Sequence, residues 1–195
     1  MQLYLASSNP GKLRELSLLA QAEGFELETV PGYDRLPPFP ENESSFALNA
    51  LEKALYYSRG SDLLVVADDS GLAVDALDSR PGVHSARFAG PGASDADNNR
   101  KLLEELRGLP PEKRSARFIC TLALARRDHL LALFSDSVEG RVLDTPRGSG
   151  GFGYDPLFFL PERGCTTAEL SPEEKNRLSH RGKAFRKLLL YLRAG

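Results

Sequence analysis

The run Leu63-Leu64-Val65-Val66-Ala67-Asp68 constrains this chain more than any other segment. It is aliphatic and β-branched, it lies between Gly60 and Gly71, and it ends on two adjacent carboxylates, Asp68 and Asp69. A run this short and apolar reads as a buried strand. A buried strand needs partners on both edges, so the chain must build a sheet around it. Residues 2–6 read as a second short buried strand. Leu13, Leu16 and Ala20 then recur at helical spacing, and Gly24 ends that helix. Residues 25–30 alternate apolar and polar, as a half-buried strand does. Residues 31–43 hold four prolines and a glycine and read as a loop. Phe46, Ala50, Lys53, Ala54 and Tyr57 mark a second helix, stopped at Gly60. Residues 72–76 read as a continuation of the strand. Residues 81–93, rich in Gly and Pro, read as a long loop.

Ser94 with Asp97 caps a helix running through Arg107. Residues 116–125 and 129–138 read as a hairpin that turns near 126–128. Residues 148–153 are glycine-dense. Ser171-Pro172-Glu173-Glu174 is a helix start, with a cap, a proline in the first turn and Glu at the third position. Phe185, Leu188, Leu189 and Leu192 define the last helix. Strands alternate with helices early and pair as a hairpin late. This order predicts a mixed α/β domain with an elongated sheet.

Length and composition bound the function. At 195 residues the expectation is one domain, with room for two lobes. Lys plus Arg is 25 against 27 for Asp plus Glu, a net charge of −2. General coating of nucleic acid needs a surplus of cations, so no nucleic-acid partner is expected. The two cysteines, Cys120 and Cys165, read as free thiols in a reducing cytoplasm. The three histidines are scattered, without zinc-ligand spacing. Apolar runs fall far short of the ~20 residues of a membrane span, and no signal peptide is legible.

Four segments carry the chemistry. The first, Ser7-Ser8-Asn9-Pro10-Gly11-Lys12, lies between a strand and a helix. Its backbone N–H groups, helix N-terminus, hydroxyls and lysine suit an anion. The second is Asp68-Asp69-Ser70-Gly71. Neighbouring strand residues face opposite ways, so one Asp should reach a ligand and the other brace the turn. Hard carboxylate oxygens suit Mg²⁺, and Glu41 or Glu43 in the Pro-rich loop would add a ligand. The third, Gly150-Gly151-Phe152-Gly153-Tyr154-Asp155-Pro156, offers exposed aromatic faces for stacking a base. The fourth joins Lys175-Asn176 to Ser179-His180-Arg181, beside the loop cation Arg87. Lys53 adds a cation where a helix normally shows an apolar or neutral residue. Taken singly, each segment also fits a structural role: a capped helix, a solvated turn, a folded-in glycine loop or a basic helix face.

Taken in order, the segments resemble the inosine triphosphate pyrophosphatases. The family's Thr-Gly-Asn-x-x-Lys is similar to Ser7-Ser8-Asn9-Pro10-Gly11-Lys12. Phe46, Asn49, Ala50, Lys53 and Ala54 match its Phe-x-x-Asn-Ala-x-x-Lys-Ala segment. Asp68-Asp69-Ser70-Gly71-Leu72, Pro81-Gly82 with Ser85-Ala86-Arg87, Phe152-Gly153-Tyr154-Asp155-Pro156, Lys175-Asn176 and Ser179-His180-Arg181 complete the order. The likeness runs from residue 3 to about residue 188. Two departures stand out: Ser7-Ser8 replaces Thr-Gly, and the Glu41 loop lacks the family's paired Glu followed by Thr-Gly.

The resemblance implies an elongated mixed sheet flanked by helices, with two lobes and a central nucleotide-binding cleft. It implies hydrolysis of ITP, dITP and XTP at the α-phosphorus, a Mg²⁺ cofactor and a homodimer. Tyr56, Tyr57 and Phe88 are expected as exposed aromatics at that dimer's interface. Asp69 would orient and deprotonate water. Glu41 and Asp69 would hold Mg²⁺, with Asp68 bracing the turn and reaching the metal through water. Ser7, Ser8, Asn9, Pro10, Gly11, Lys12, Lys53, Ser70, Arg87 and Lys175 would bind the triphosphate. Phe152, Gly153, Tyr154 and Asp155 would take the base, with His180 and Arg181 reading its edge. Three other functions are weighed against this one: a pyrophosphatase for modified pyrimidine or methylated nucleotides, a nucleotide sensor without turnover, and a nucleic-acid-binding module.

Overall fold

A computed structural model describes residues 1–42 and 44–194; Glu43, one of the two glutamates considered for the metal, lies outside them. Among the described residues seven strands form one open sheet in the order β2-β1-β3-β4-β5-β6-β7. They are β1 (Gln2–Leu5), β2 (Glu26–Thr29), β3 (Val65–Val74), β4 (Ser115–Arg126), β5 (His129–Val142), β6 (Phe158–Leu160) and β7 (Cys165–Thr166). The helices are α1 (Pro10–Ala22), α2 (Phe46–Ser58), α3 (Asp95–Glu105), α4 (Pro172–Leu178) and α5 (His180–Ala194). The chain divides into two compact units, one of residues 1–69, 120–136 and 180–195, the other of residues 70–119 and 137–179.

In the first unit β1 pairs in parallel with β2, Leu3 opposite Leu27, and with β3, Tyr4 opposite Val65. Alternation along the strands sorts their side chains into two packed layers. Leu3 and Leu5 meet Leu16 of α1, Leu122 and Leu124 of β4, and Phe185 and Leu188 of α5. On the other side Ala6, Val65, Ala67 and Ala123 meet Ala50, Ala54 and Tyr57 of α2. The small residues let α2 lie close to the strands. Each large side chain so buried contributes ~1.5–3 kcal/mol.

The second unit has its own core of Leu72, Val74, Leu102, Leu106, Phe118, Leu157 and Phe158. Phe118 and Phe158 pack with ring centroids 4.5 Å apart. Here β5 and β6 pair antiparallel, Arg141 opposite Phe159, as do β6 and β7, Phe159 opposite Thr166. Arg114 is buried and donates to the carbonyls of Leu106, Leu109 and Leu143, which caps the C-terminal end of α3.

Four expectations change. β3 runs unbroken through Asp68-Asp69-Ser70-Gly71 and on to Val74, so the strand does continue and there is no turn for an Asp to brace. The segment 81–93 is not all loop, since Gly82–Arg87 winds into a 3-10 helix. The hairpin's second strand continues beyond residue 138 to Val142. Tyr57 and Phe88 are core residues, 5% and 8% exposed, so neither is an exposed interface aromatic.

Candidate active site

The first unit assembles a buried carboxylate and lysine cluster. Asp68 and Asp69 are successive residues of β3 and so face opposite sides of the sheet. Asp68 points to the α1 and α5 side, where its Oδ1 meets Lys12 Nζ at 2.6 Å and its Oδ2 accepts from Arg181 Nε at 2.7 Å. Arg181 Nη1 also donates to Glu15 Oε2 at 2.6 Å. Burial is the strongest single influence on Asp68 and pushes its pKa up. The Arg181 and Lys12 charges, with their hydrogen bonds, together outweigh it and hold the carboxyl well below the usual range. The same fully buried site pushes the Cys120 thiol well up, first by burial and then by the Asp68 charge.

Asp69 points to the α2 side. Its Oδ2 accepts from Asn49 Nδ2 at 2.9 Å. Burial, reinforced by the Glu41 charge and opposed by Lys12, Asn49 and Lys53, pushes its pKa up to about 6. Lys53, one turn after Asn49 on α2, donates to the Asp68 carbonyl at 2.8 Å and pairs with Glu41. The Glu41 loop is pinned to α2: Tyr56 Oη donates to the Pro37 carbonyl, and the Phe39 N–H donates to Tyr57 Oη. Thus Asn49, Lys53, Tyr56 and Tyr57, all on α2, place Glu41 and Asp69 near enough to repel.

Several of the residues expected to bind substrate have partners within this unit. The N–H groups of Gly11 and Lys12 are not open to an anion, because Asn9 Oδ1 accepts from both, at 2.9 and 3.0 Å. Ser7 is buried and accepts from the Asn9 N–H, whereas Ser8 is exposed and Pro10 is the first helical residue. The loop is therefore built by its own cap, and Lys12 reaches back from it to Asp68. Asp68 does not brace a turn; each of its oxygens faces a cation. Arg181 is 3% exposed, and its Nε and Nη1 donate to the carboxylates of Asp68 and Glu15. His180, also buried, opens α5 beside it.

Among the described residues no three His, Cys, Asp or Glu side chains cluster as a metal cage. Mg²⁺ takes only one or two protein carboxylates and keeps waters and substrate oxygens. Asp69 fits that demand, since its charge is destabilised first by burial and then by Glu41, and a cation would offset both. Asp68 is already compensated by Lys12 and Arg181.

The second unit presents an aromatic loop. Asp155 is buried and organises it: Oδ2 accepts from the Phe152 N–H at 2.8 Å and pairs with Lys175, and Oδ1 accepts from Thr167 at 2.8 Å. Gly151 sits at φ +73°, and a Cβ there would lie 2.1 Å from Asp155 Oδ2. Only glycine lets the backbone approach that carboxylate. Lys175 Nζ lies 4.8 Å from the Phe152 ring centroid, a cation over an aromatic face. Tyr154 is not an exposed stacking face. It is 4% exposed, belongs to the core, and donates from Oη to the Ser85 carbonyl at 2.8 Å. Asp155 likewise braces the loop internally, and Lys175 stands beside the aromatic ring.

Gly71 explains the close approach of the 82–85 turn to β3. Its missing Cβ would lie 2.3 Å from the Gly82 carbonyl oxygen and 2.4 Å from Ser85 Oγ, which accepts from the Leu72 N–H. Ser70 and Arg87 flank this packing, each partly exposed.

Residues 3–191 match the model of the Ham1 family. The dITP/XTP pyrophosphatase of Geobacillus kaustophilus is 50% identical over 187 residues, covering 96% of this chain and 92% of the relative. One from Thermus thermophilus is 49% identical over 190 residues, covering 97% and 90%. The solved HAM1 protein from Coxiella burnetii superposes with a TM-score of 0.88 at 38% identity, with both chains covered in full. With the sheet order, the motif positions and these relatives in agreement, the chain belongs to the Ham1 family.

Proposed function

We propose that this protein is a nucleoside triphosphate pyrophosphatase. It hydrolyses ITP, dITP and XTP at the α-phosphorus to the monophosphate and pyrophosphate. The observation that carries the reading is Asp69, a buried carboxylate under the influence of Lys12, Lys53, Asn49 and Glu41, in a chain whose relatives bear the name dITP/XTP pyrophosphatase. With its pKa near 6, Asp69 is ionised at neutral pH yet basic enough to take a proton from water. Lys12 and Lys53 offset the phosphates, as preorganised charge does in phosphoryl transfer. Arg87 and Ser70 add a cation and a hydroxyl to the same task.

Asp69 and Glu41 would hold Mg²⁺, which neutralises phosphoryl oxygens and the leaving pyrophosphate. Phe152 stacks on the base. Lys175 and His180 supply donors to the six-keto oxygen of hypoxanthine or xanthine. Adenine places an amino group there, so donors would face donors, and each unpaired buried group costs ~1–3 kcal/mol.

The reading includes a homodimer and a cytoplasmic location, where the nucleotide pool lies. Light scattering should give twice the 21.4 kDa of the chain. The test of the reaction is product analysis with ITP and Mg²⁺ in ¹⁸O-water. Pyrophosphate and labelled IMP are expected. Release of orthophosphate and IDP would refute attack at the α-phosphorus.

A further inference from the structure

Helix α3 carries an unusual polar string, Asp95-Ala96-Asp97-Asn98-Asn99. Asparagine is a weak helix former, because its amide competes for backbone groups. Two of them in succession inside a helix oppose local preference, and such conflicts mark positions with another task. Their partners show that task. Asp95 and Asn99, one turn apart, both grip Gly153: its N–H donates to Asp95 Oδ2 at 2.7 Å, and its carbonyl accepts from Asn99 Nδ2 at 2.9 Å. Gly153 lies at φ +61°. The Phe152 N–H is separately held by Asp155 at 2.8 Å. Phe152 therefore has the peptide before it fixed by Asp155 and the peptide after it fixed by Asp95. Only its side-chain torsions remain to be set.

Asn98 grips a different segment. It is 3% exposed; its Oδ1 accepts from the Ala89 N–H at 2.8 Å, and its Nδ2 donates to the Ala86 carbonyl at 3.2 Å. Lys101 Nζ donates to the Phe88 carbonyl at 2.7 Å and lies 4.6 Å from the Phe88 ring centroid. The peptide before Arg87 and the peptide after Phe88 are thus both tied to α3. Neighbouring residues of one helix hold the stacking ring's loop and the loop cation's segment.

We propose that Asp95, Asn98 and Asn99 are positioning residues that set how Phe152 and Arg87 are presented to the nucleotide, with separable effects. Asp95 and Asn99 act on base selection through Phe152, and Asn98 acts on triphosphate handling through Arg87. The assignment of effects rests on the pyrophosphatase reading; the clamp itself does not.

The experiment has one arm for each. The chain has no tryptophan, so Phe152→Trp creates a single emitter whose anisotropy reports the loop without any catalysis. In that background Asn99→Ala should lower the anisotropy, and Asn98→Ala should leave it unchanged. With Phe152 retained, Asn99→Ala should lower the ratio of kcat/KM for ITP over ATP at least about threefold, mostly through the KM for ITP. Asn98→Ala should lower kcat/KM for both nucleotides in equal proportion. Asp95→Asn keeps an acceptor for the Gly153 N–H and should preserve the ratio that Asp95→Ala loses. If Asn99→Ala fails to fold, Asn99→Asp keeps the shape, removes the donor, and should give the same loss. A fall in melting temperature alone, with ratio and anisotropy at wild-type values, overturns the proposal. So does an equal change of the ratio in Asn98→Ala and Asn99→Ala. If the wild type hydrolyses no ITP, the pyrophosphatase reading fails, and anisotropy alone decides the clamp.

Discussion

The two units organise their functional side chains by opposite means. In the first, charges hold charges: Asp68 is locked between Lys12 and Arg181, and Glu41 is held by Lys53. In the second, the aromatic ring is carried by a loop whose peptides are hydrogen-bonded at fixed points, with the buried pair of Asp155 and Lys175 beneath it. The difference follows from the task proposed for each. A triphosphate brings several negative charges, so its receptor needs cations already desolvated and paired, ready to change partners. A flat neutral base needs a rigid face and directed donors, and backbone clamps supply those at low entropic cost.

The sharpest way to break this contrast is Asp69→Asn. It should lower the turnover of ITP by ~100- to 10,000-fold, as loss of a general base does. Binding of ITP, followed by calorimetry, should persist. Undiminished turnover would remove Asp69 from the chemistry, and with it the reason for the charged cluster.

Next in size is Asp68→Asn. The substitution leaves Lys12 and Arg181 facing a neutral amide in a buried site, which typically costs ~3–5 kcal/mol. Urea unfolding should show it. The pH dependence has a definite sign. The Asp68 pKa is depressed, so its stabilisation is present above the ordinary carboxylate range. It is lost as pH falls through the lowered value. The difference between Asp68→Asn and wild type should therefore shrink only in strong acid.

Asp69 has the reverse sign. Its pKa is raised from 3.8 to about 6, so between those values the folded chain holds a proton that the unfolded chain has lost. Stability then falls as pH rises through that window, by ~2–3 kcal/mol in all. Asp69→Asn should thus melt higher than wild type at pH 7.5 in chelator and equal to it at pH 3.5. A lower melting temperature at pH 7.5 would show that Asp69 stabilises the fold, contrary to its burial and the Glu41 charge that acts on it.

This pairing of one stabilising and one destabilising carboxylate marks where the sequence was legible and where it was not. Strand alternation alone puts Asp68 and Asp69 on opposite faces, and the structure agrees. The partners of Asp68, Lys12 and Arg181, lie 56 and 113 residues away in sequence, so no local pattern reveals which Asp is compensated. The same polar string read as a turn because exposed turns and buried charged strands share a composition. The helices and the main hairpin were legible because periodicity and caps are local signals. Strands β6 and β7, at three and two residues, are too short for a period, and pairing alone defines them. The six-residue 3-10 helix over Gly82–Arg87 hides in a stretch whose Gly and Pro suggest irregular backbone. Glycine density around Tyr154 signals a surface loop, while its hydroxyl finds the Ser85 carbonyl within a core. In the sequence Asn98 and Asn99 stand out only as weak helix formers, and a polar helix residue reads the same whether it faces water or a loop.

The smallest expected effect is Phe152→Ala. Loss of a stacking face costs ~1–3 kcal/mol of binding. It should appear in the KM for ITP, with kcat changed little. An equal loss from kcat would give the ring a role in the chemistry and blur the division between the units.

The division is tested most directly by one quantity, the ratio of kcat/KM for ITP over ATP, measured side by side in wild type, Lys53→Met and Phe152→Ala. The account predicts a large ratio in wild type. It predicts the same ratio in Lys53→Met despite a much lower rate, and a smaller one in Phe152→Ala. ATP turned over as well as ITP by wild type, or a ratio that collapses in Lys53→Met and survives in Phe152→Ala, would contradict it.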